Sequence, residues 1–179
     1  MSSYSLTAAG VPSWPSQTLL EKGTEAMAAD LFIRTAVPDD LPELQDVYRR
    51  ASLSNAEDRD ILLSHPEHLI FAGSAVSAGR TRVALVDGRV VGFATSIPND
   101  ASQLELEDLF VDPSWQRRGV GRMLITDLVQ LARADGTETL WVTGNPHAMA
   151  FYFSVGFVEL GEATTELGAG SRLRLTLLP

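Results

Sequence analysis

Residues 111–121 read Val-Asp-Pro-Ser-Trp-Gln-Arg-Arg-Gly-Val-Gly, a turn with two arginines and two glycines that runs straight into an amphipathic stretch. Glycine at 119 and 121 lets main chain approach a ligand with no Cβ in between, and the first N–H groups of the following helix have no intrahelical acceptor. Amides presented in this way hold an anion, and a pyrophosphate suits such a run of donors. The competing reading is a plain loop-to-helix junction with solvated arginines. Two other phosphate motifs are excluded. A P-loop requires Gly-Lys-Ser/Thr, but Arg122 and Met123 follow Gly121, and a dinucleotide fingerprint requires a third glycine where Leu124 stands.

The remaining reactive side chains are few. His65 and His68 are three apart, but Pro66 lies between them and the sequence offers no evident third ligand, so no metal site is expected. The chain has no cysteine, which excludes disulfides, thiolate metal sites and a cysteine nucleophile, and makes a reducing cytoplasm the default compartment. Tyr152 stands among Phe151, Phe153 and Phe157, the surroundings of a core aromatic. Asn145 precedes Pro146, where it can cap a helix; His147 receives no role.

Hydrophobic period supplies the elements that must position these groups. Leu31, Phe32, Ile33 and Val37 predict a short strand, followed by a helix whose buried face is Leu41, Leu44, Val47, Tyr48 and Ala51. A less regular helix covers residues 55–64, and residues 65–79 carry no pattern that assigns them. Residues 82–86 and 89–97 form a hairpin through Asp87-Gly88. A third strand holds Leu104, Leu106, Leu109 and Val111, with an irregularity around Glu105, Glu107 and Asp108 that a bulge would explain. Next come a helix over 116–134, a strand over 139–143, a helix over 146–155, and closing strands at 157–160 and 172–177 joined by a long loop. The order predicts an α+β domain of three-layer type, with a mixed, mostly antiparallel twisted sheet.

At 179 residues the chain suits one core. Its 45% hydrophobic and 21% charged residues are those of a globular protein. No apolar run is long enough to cross a bilayer. A formal charge of −9 argues against a broad nucleic-acid surface and suits a cationic small substrate. Residues 1–26 show no leader pattern and no sustained period, so they are expected to be an unpacked extension, with the domain spanning 27–179.

Gln116-Arg117-Arg118-Gly119-Val120-Gly121 resembles the acetyl-CoA signature Gln/Arg-x-x-Gly-x-Gly/Ala of the GNAT superfamily of N-acetyltransferases. Leu106-Glu107-Asp108-Leu109-Phe110-Val111-Asp112-Pro113 is similar to its central strand and turn. Asn145, Ala148, Phe151, Tyr152, Gly156 and Phe157 fall at the spacing of its later helix motif. The joint occurrence of the two motifs is specific, and the element order agrees from about Leu31 onward.

The resemblance implies helices on both faces of the sheet and a split between the central strand and the strand at 139–143, whose edge groups pair with a pantetheine arm. Leu109, Phe110 and Val111 would orient the thioester, with Val111 N–H facing the carbonyl oxygen, and the amides from Arg117 through Arg122 would hold the pyrophosphate. Tyr152 matches the family's general acid, and Asn145 either holds the cofactor arm or caps its helix. For the base that deprotonates an amine, Glu107 matches the family best, with Glu105 second; both share strand parity with Leu109 and Val111 if no bulge intervenes. The implied reaction moves an acetyl group from acetyl-CoA directly to a primary amine, small or peptidic, without a metal. The implied assembly is a homodimer. The alternative is a catalytically silent acyl-CoA-binding or regulatory module. The acceptor is expected to touch the first two helices, the strand bearing Glu107 and the loop at 161–171.

Overall fold

Asp87 and Gly88 take left-handed φ angles of 50° and 76°, the pair of positive values a two-residue hairpin turn demands, and they join β2 (Thr81–Val86) to β3 (Arg89–Asp100). This hairpin belongs to a seven-stranded sheet in the order β1-β2-β3-β4-β5-β7-β6, with β1 at Leu31–Thr35, β4 at Gln103–Val111, β5 at Thr139–Gly144, β6 at Val158–Thr165 and β7 at Gly168–Thr176. Among the described strands only the neighbours β4 and β5 run parallel. The computed structural model describes residues 31–165 and 168–177; the expected extension over 1–26 lies outside them, as does the boundary at 27.

Each sheet face carries its own helix. On one, α1 (Leu41–Ser52) lays Leu44 and Val47 on Val83, Leu85, Val90 and Phe93. On the other, α4 (Val120–Ala134) lays Val120, Leu124, Ile125, Leu128 and Ala132 on Ala84, Val91, Ala94 and Leu106. Each buried Leu, Ile or Val of these stripes contributes roughly 1.5–3 kcal/mol. A charge at Leu124, which is fully buried, would therefore detach α4 and the turn it carries. Three short helices complete the layers: α2 (Ala56–Ser64), α3 (Ser74–Ser77) and α5 (Met149–Ser154). No described helix is long and apolar enough to cross a membrane.

Several expectations need correction. The segment at 161–171 is not a loop: β6 and β7 pair out to Thr165 and Gly168. The first five residues of β6 are all exposed, so its sequence carries no buried period to reveal it. Residues 65–79 hold a 3-10 turn (Pro66–Leu69) and α3, elements too short for a period to register. The helix expected from Gln116 begins at Val120, after a turn.

Candidate functional site

β4 and β5 pair only where Gln103, Leu104 and Glu105 face Thr139, Leu140 and Trp141. Beyond that point β4 stays with β3 as far as Val111, β5 stays with β7 as far as Gly144, and the two inner strands part. Asp112 N–H donates to Val91 O at 2.9 Å. Because strand residues alternate in direction, the main-chain groups of Val111 and Leu109 face the gap instead of β3. Val111 O accepts from Gln116 Nε2 at 3.3 Å. Phe110 does the opposite: paired with Phe93 across β3, it sends its ring to Tyr48 at 4.7 Å and Phe93 at 5.6 Å.

The turn between β4 and α4 is held from the α1 side. Asp112 Oδ1 accepts from Ser114 N (2.9 Å) and Oγ (2.5 Å), and Oδ2 accepts from Arg50 Nε (2.7 Å). Burial opposes ionisation of Asp112, yet the bonds from Ser114 and Arg50 outweigh it and hold the carboxyl below its ordinary range. Arg117 (φ 58°) and Gly119 (φ 85°) then take left-handed conformations that swing the chain into the helix. The first main-chain bond of α4 runs from Met123 N to Gly119 O, so the amides of Val120, Gly121 and Arg122 precede the helical ladder. They open on a cleft of about 670 Å³ lined in part by Gln116, Arg117, Gly119, Gly121, Arg122 and Tyr152.

The two glycines have different jobs. A Cβ at Gly119 would meet nothing within 4 Å, which leaves that main chain open to a ligand. A Cβ at Gly121 would stand 3.3 Å from the Phe151 ring, so this glycine lets α5 pack on α4. Nor do both arginines line the cleft. Arg118, which does not line the cleft, lies over the ring of the lining residue Trp115 at 5.0 Å, a cation–π contact. Val120 is 2% exposed, so its side chain is core and only its amide is on offer. Arg122 reaches Ser154 Oγ at 3.2 Å and ties the cleft to α5.

Tyr152 is 8% exposed, edge-on to Phe151 and Phe157 at 5.4 Å each, and its ring lines the cleft. Burial pushes its phenol up to about 12. Gly144, a residue the sequence did not single out, makes room for it: a Cβ there would lie 3.0 Å from Tyr152 Cε2. Its one signal is a glycine ending a strand directly before Asn145-Pro146. Asn145 caps the Pro146–Ala148 turn, accepting from Ala148 N at 3.0 Å.

The carboxylates of β4 depart from the expected parity. Thr95 pairs with Asp108 and Ser96 with Leu106, which leaves Glu107 as the extra residue of a bulge. Glu105 therefore shares the face of Asp108 and Phe110, not that of Leu109 and Val111, and Arg172 grips both its oxygens at 2.5 and 2.6 Å. Glu107 is exposed. Asp108, paired with the buried Thr95, is raised to about 6: burial is the main cause, the Glu107 charge adds to it, and a Thr95 hydrogen bond offsets part. None of the three lines the cleft or its neighbour.

That neighbour is a second cavity of about 670 Å³ on the α1 and α2 side, with Tyr48, Ser52, Asn55, Asp58, Glu67 and His68 among its lining. Among the described residues no Lys or Arg lines it. Glu67 also supplies the third donor that the sequence did not reveal beside His65 and His68; the ligand atoms of the three lie within 4.8 Å of one another at the surface. Leu109, Val111, Gln116, His147 and Ala148 line both cavities. His147 Nε2 lies 3.3 Å from Glu57 Oε2 of α2.

The profile of the Acetyltransferase (GNAT) family matches residues 41–157, from the start of α1 to Phe157. The chain belongs to the GNAT family. Among curated GNAT relatives, the [ribosomal protein bS18]-alanine N-acetyltransferase of Salmonella typhimurium is 40% identical over 77 residues, 41% of this chain and 51% of that enzyme. The match thus spans about half of that relative's length. An uncharacterised N-acetyltransferase of Mycobacterium bovis is 29% identical over 147 residues, 80% of this chain and 86% of the relative. The fold is similar to that of PaiA N-acetyltransferase from Thermoplasma acidophilum in complex with coenzyme A, with a TM-score of 0.65 and 17% identity over 82% of this chain and 98% of that one. It is likewise similar to an aminoglycoside 6′-N-acetyltransferase complexed with coenzyme A, with a TM-score of 0.63 and 17% identity over 83% and 98%.

Proposed function

We propose that this GNAT protein transfers an acetyl group from acetyl-CoA directly to a primary amine. One observation carries the reading: β4 and β5 part beside the mouth of α4, so that the edge of β4 at Leu109 and Val111 and the amides preceding the α4 ladder open onto one cleft. Pantetheine pairs with such an edge as an added strand does, and a pyrophosphate takes the amides of residues 117–122. Gly119 supports the fit, since its main chain faces open space. Val111 N–H faces the charge that develops on the carbonyl oxygen. Tyr152, kept neutral by burial, donates to the departing sulfur. Asn145 keeps its cap, and Gln116 steadies Val111.

The amine enters from the second cavity. Asp58 and Glu67, with no Lys or Arg on the walls, favour a protonated small-molecule or peptide amine. It must shed a proton before attacking, to water or to Glu107 at the bulge. Held in one ternary complex, amine and thioester react by proximity, with no covalent enzyme step. A homodimer in a reducing cytoplasm is the proposed setting, and residues 1–26 are proposed to be dispensable for folding and activity.

The test is a panel of amines with acetyl-CoA, read by released thiol, alongside calorimetry with CoA. Turnover of one amine class, lost in Tyr152→Phe with CoA affinity retained, supports the proposal. Binding without turnover of any amine would leave the silent acyl-CoA module, and no CoA binding would overturn both.

A further inference from the structure

The proposed reaction needs a proton acceptor where the amine meets the thioester, and that place is where the two cavities join. Five residues line both cavities: Leu109, Val111, Gln116, His147 and Ala148. Four of these side chains have no acid–base chemistry near neutral pH; the fifth is an imidazole. Its Nε2 lies 3.3 Å from the Glu57 carboxylate, which leaves Nδ1 as the second nitrogen. The β4 carboxylates are less well placed: Glu105 is held by Arg172, and neither Glu107 nor Asp108 lines either cavity.

We propose that His147, oriented by Glu57, takes the proton from the acceptor amine at the junction of the two cavities. The inference rests on the acetyl-transfer reading and changes only the group that accepts the proton. An ammonium gives one proton to His147. The freed nitrogen lone pair bonds to the thioester carbonyl carbon, and the C–S bond breaks. The thiolate takes a proton from Tyr152, which is restored by the second amine proton, while His147 returns the first to solvent. The sum is ammonium plus thioester giving amide, thiol and one released proton. Glu57 is a positioning residue in this scheme. The titratable and charged groups beside His147 or on the walls of the two cavities are Glu57 and Asp58 of α2, Glu67 and His68 of the neighbouring turn, Tyr48 of α1, Arg117 and Arg122 at the α4 mouth, and Tyr152 of α5.

The experiment takes the full chain and an amine that it acetylates, and compares parent, His147→Gln, His147→Ala and Glu57→Gln. Calorimetry with acetyl-CoA comes first, and parental affinity certifies a folded variant. His147→Gln is expected to lose about 100-fold in kcat. Its rate should recover as rising pH supplies free amine, and added imidazole should restore part of the His147→Ala rate. Glu57→Gln should lose less and move the acidic limb of kcat/KM the same way. Parental kcat and pH profile in a folded His147→Gln would overturn the inference and leave the acetyl-transfer reading standing. Should the His147 variants not fold, a parental profile in Glu57→Gln overturns it. Failure of the parent to bind acetyl-CoA, or to acetylate any amine, overturns the reading and the inference together.

Discussion

Asp108→Asn should stabilise the protein by an amount that grows from about pH 4 to about pH 6 and is fully present above it. Asp108 rises from an ordinary 3.8 to about 6 because burial penalises its charge and Glu107 repels it. At 1.36 kcal/mol per pH unit, that difference makes ionisation in the folded state about 3 kcal/mol more costly than in the unfolded chain. The sign follows from linkage. Below about pH 4 both states are protonated and nothing is lost; between about 4 and 6 the unfolded carboxyl ionises while the folded one stays neutral; above about 6 the full cost is present. Asparagine never ionises, so its advantage grows through that window. The bond from Thr95 is weaker to an amide than to a carboxylate, by about 1 kcal/mol, which leaves a net gain of about 2 kcal/mol at pH 8. Urea unfolding of parent and variant at about pH 4 and pH 8 measures it, provided the m-values agree. A difference that is flat with pH, or a variant less stable than the parent at pH 8, would refute the assignment of a desolvated carboxylate at this position.

Asp112 predicts the reverse. Its carboxyl lies below the ordinary range, so it contributes stability above the unfolded value that is lost as pH falls through the folded one; Asp112→Asn should cost about 1–3 kcal/mol at neutral pH and converge with the parent in acid, by the same urea assay. Gly144→Ala puts a Cβ 3.0 Å from the Tyr152 ring and should cost about 1–3 kcal/mol in thermal unfolding, while lowering kcat more than acetyl-CoA affinity because the ring must shift. Spectrophotometric titration should show one tyrosine ionising at about 12, and Tyr152→Phe should remove that late step together with about 100-fold of kcat.

Short-range patterns were legible where one residue type has one cause. Asp87-Gly88 demanded a tight hairpin and both residues have positive φ; of the stripe expected from Val120, Met123, Leu124, Leu128 and Leu131, Val120, Leu124 and Leu128 face the sheet while Met123 and Leu131 are exposed. The glycine at 119 was legible for the same reason, because the turn into α4 gives it a left-handed φ. Gly121 shows the limit. Its type was right, but its reason is the Phe151 ring, a contact 30 positions away that no local pattern encodes.

The carboxylates show why a site is harder to read than a fold. Along β4, parity was the only rule connecting Glu105 and Glu107 to Leu109, and one extra residue reverses it: the bulge at Glu107 sends Glu105 to the opposite face and into Arg172. Nothing in the sequence of β4 fixes where the bulge falls, since the register is set by β3, where Thr95 takes Asp108 and Ser96 takes Leu106. His147 was invisible for a related reason. Its significance is a meeting place made by β4, the turn after β5 and α2, elements that sequence separates by up to 90 positions between Glu57 and His147. An acid–base group that acts between two bound molecules belongs to the junction of their cavities. That junction exists only once the strands have parted, so motif spacing can name the cradle and leave the proton acceptor to be found in three dimensions.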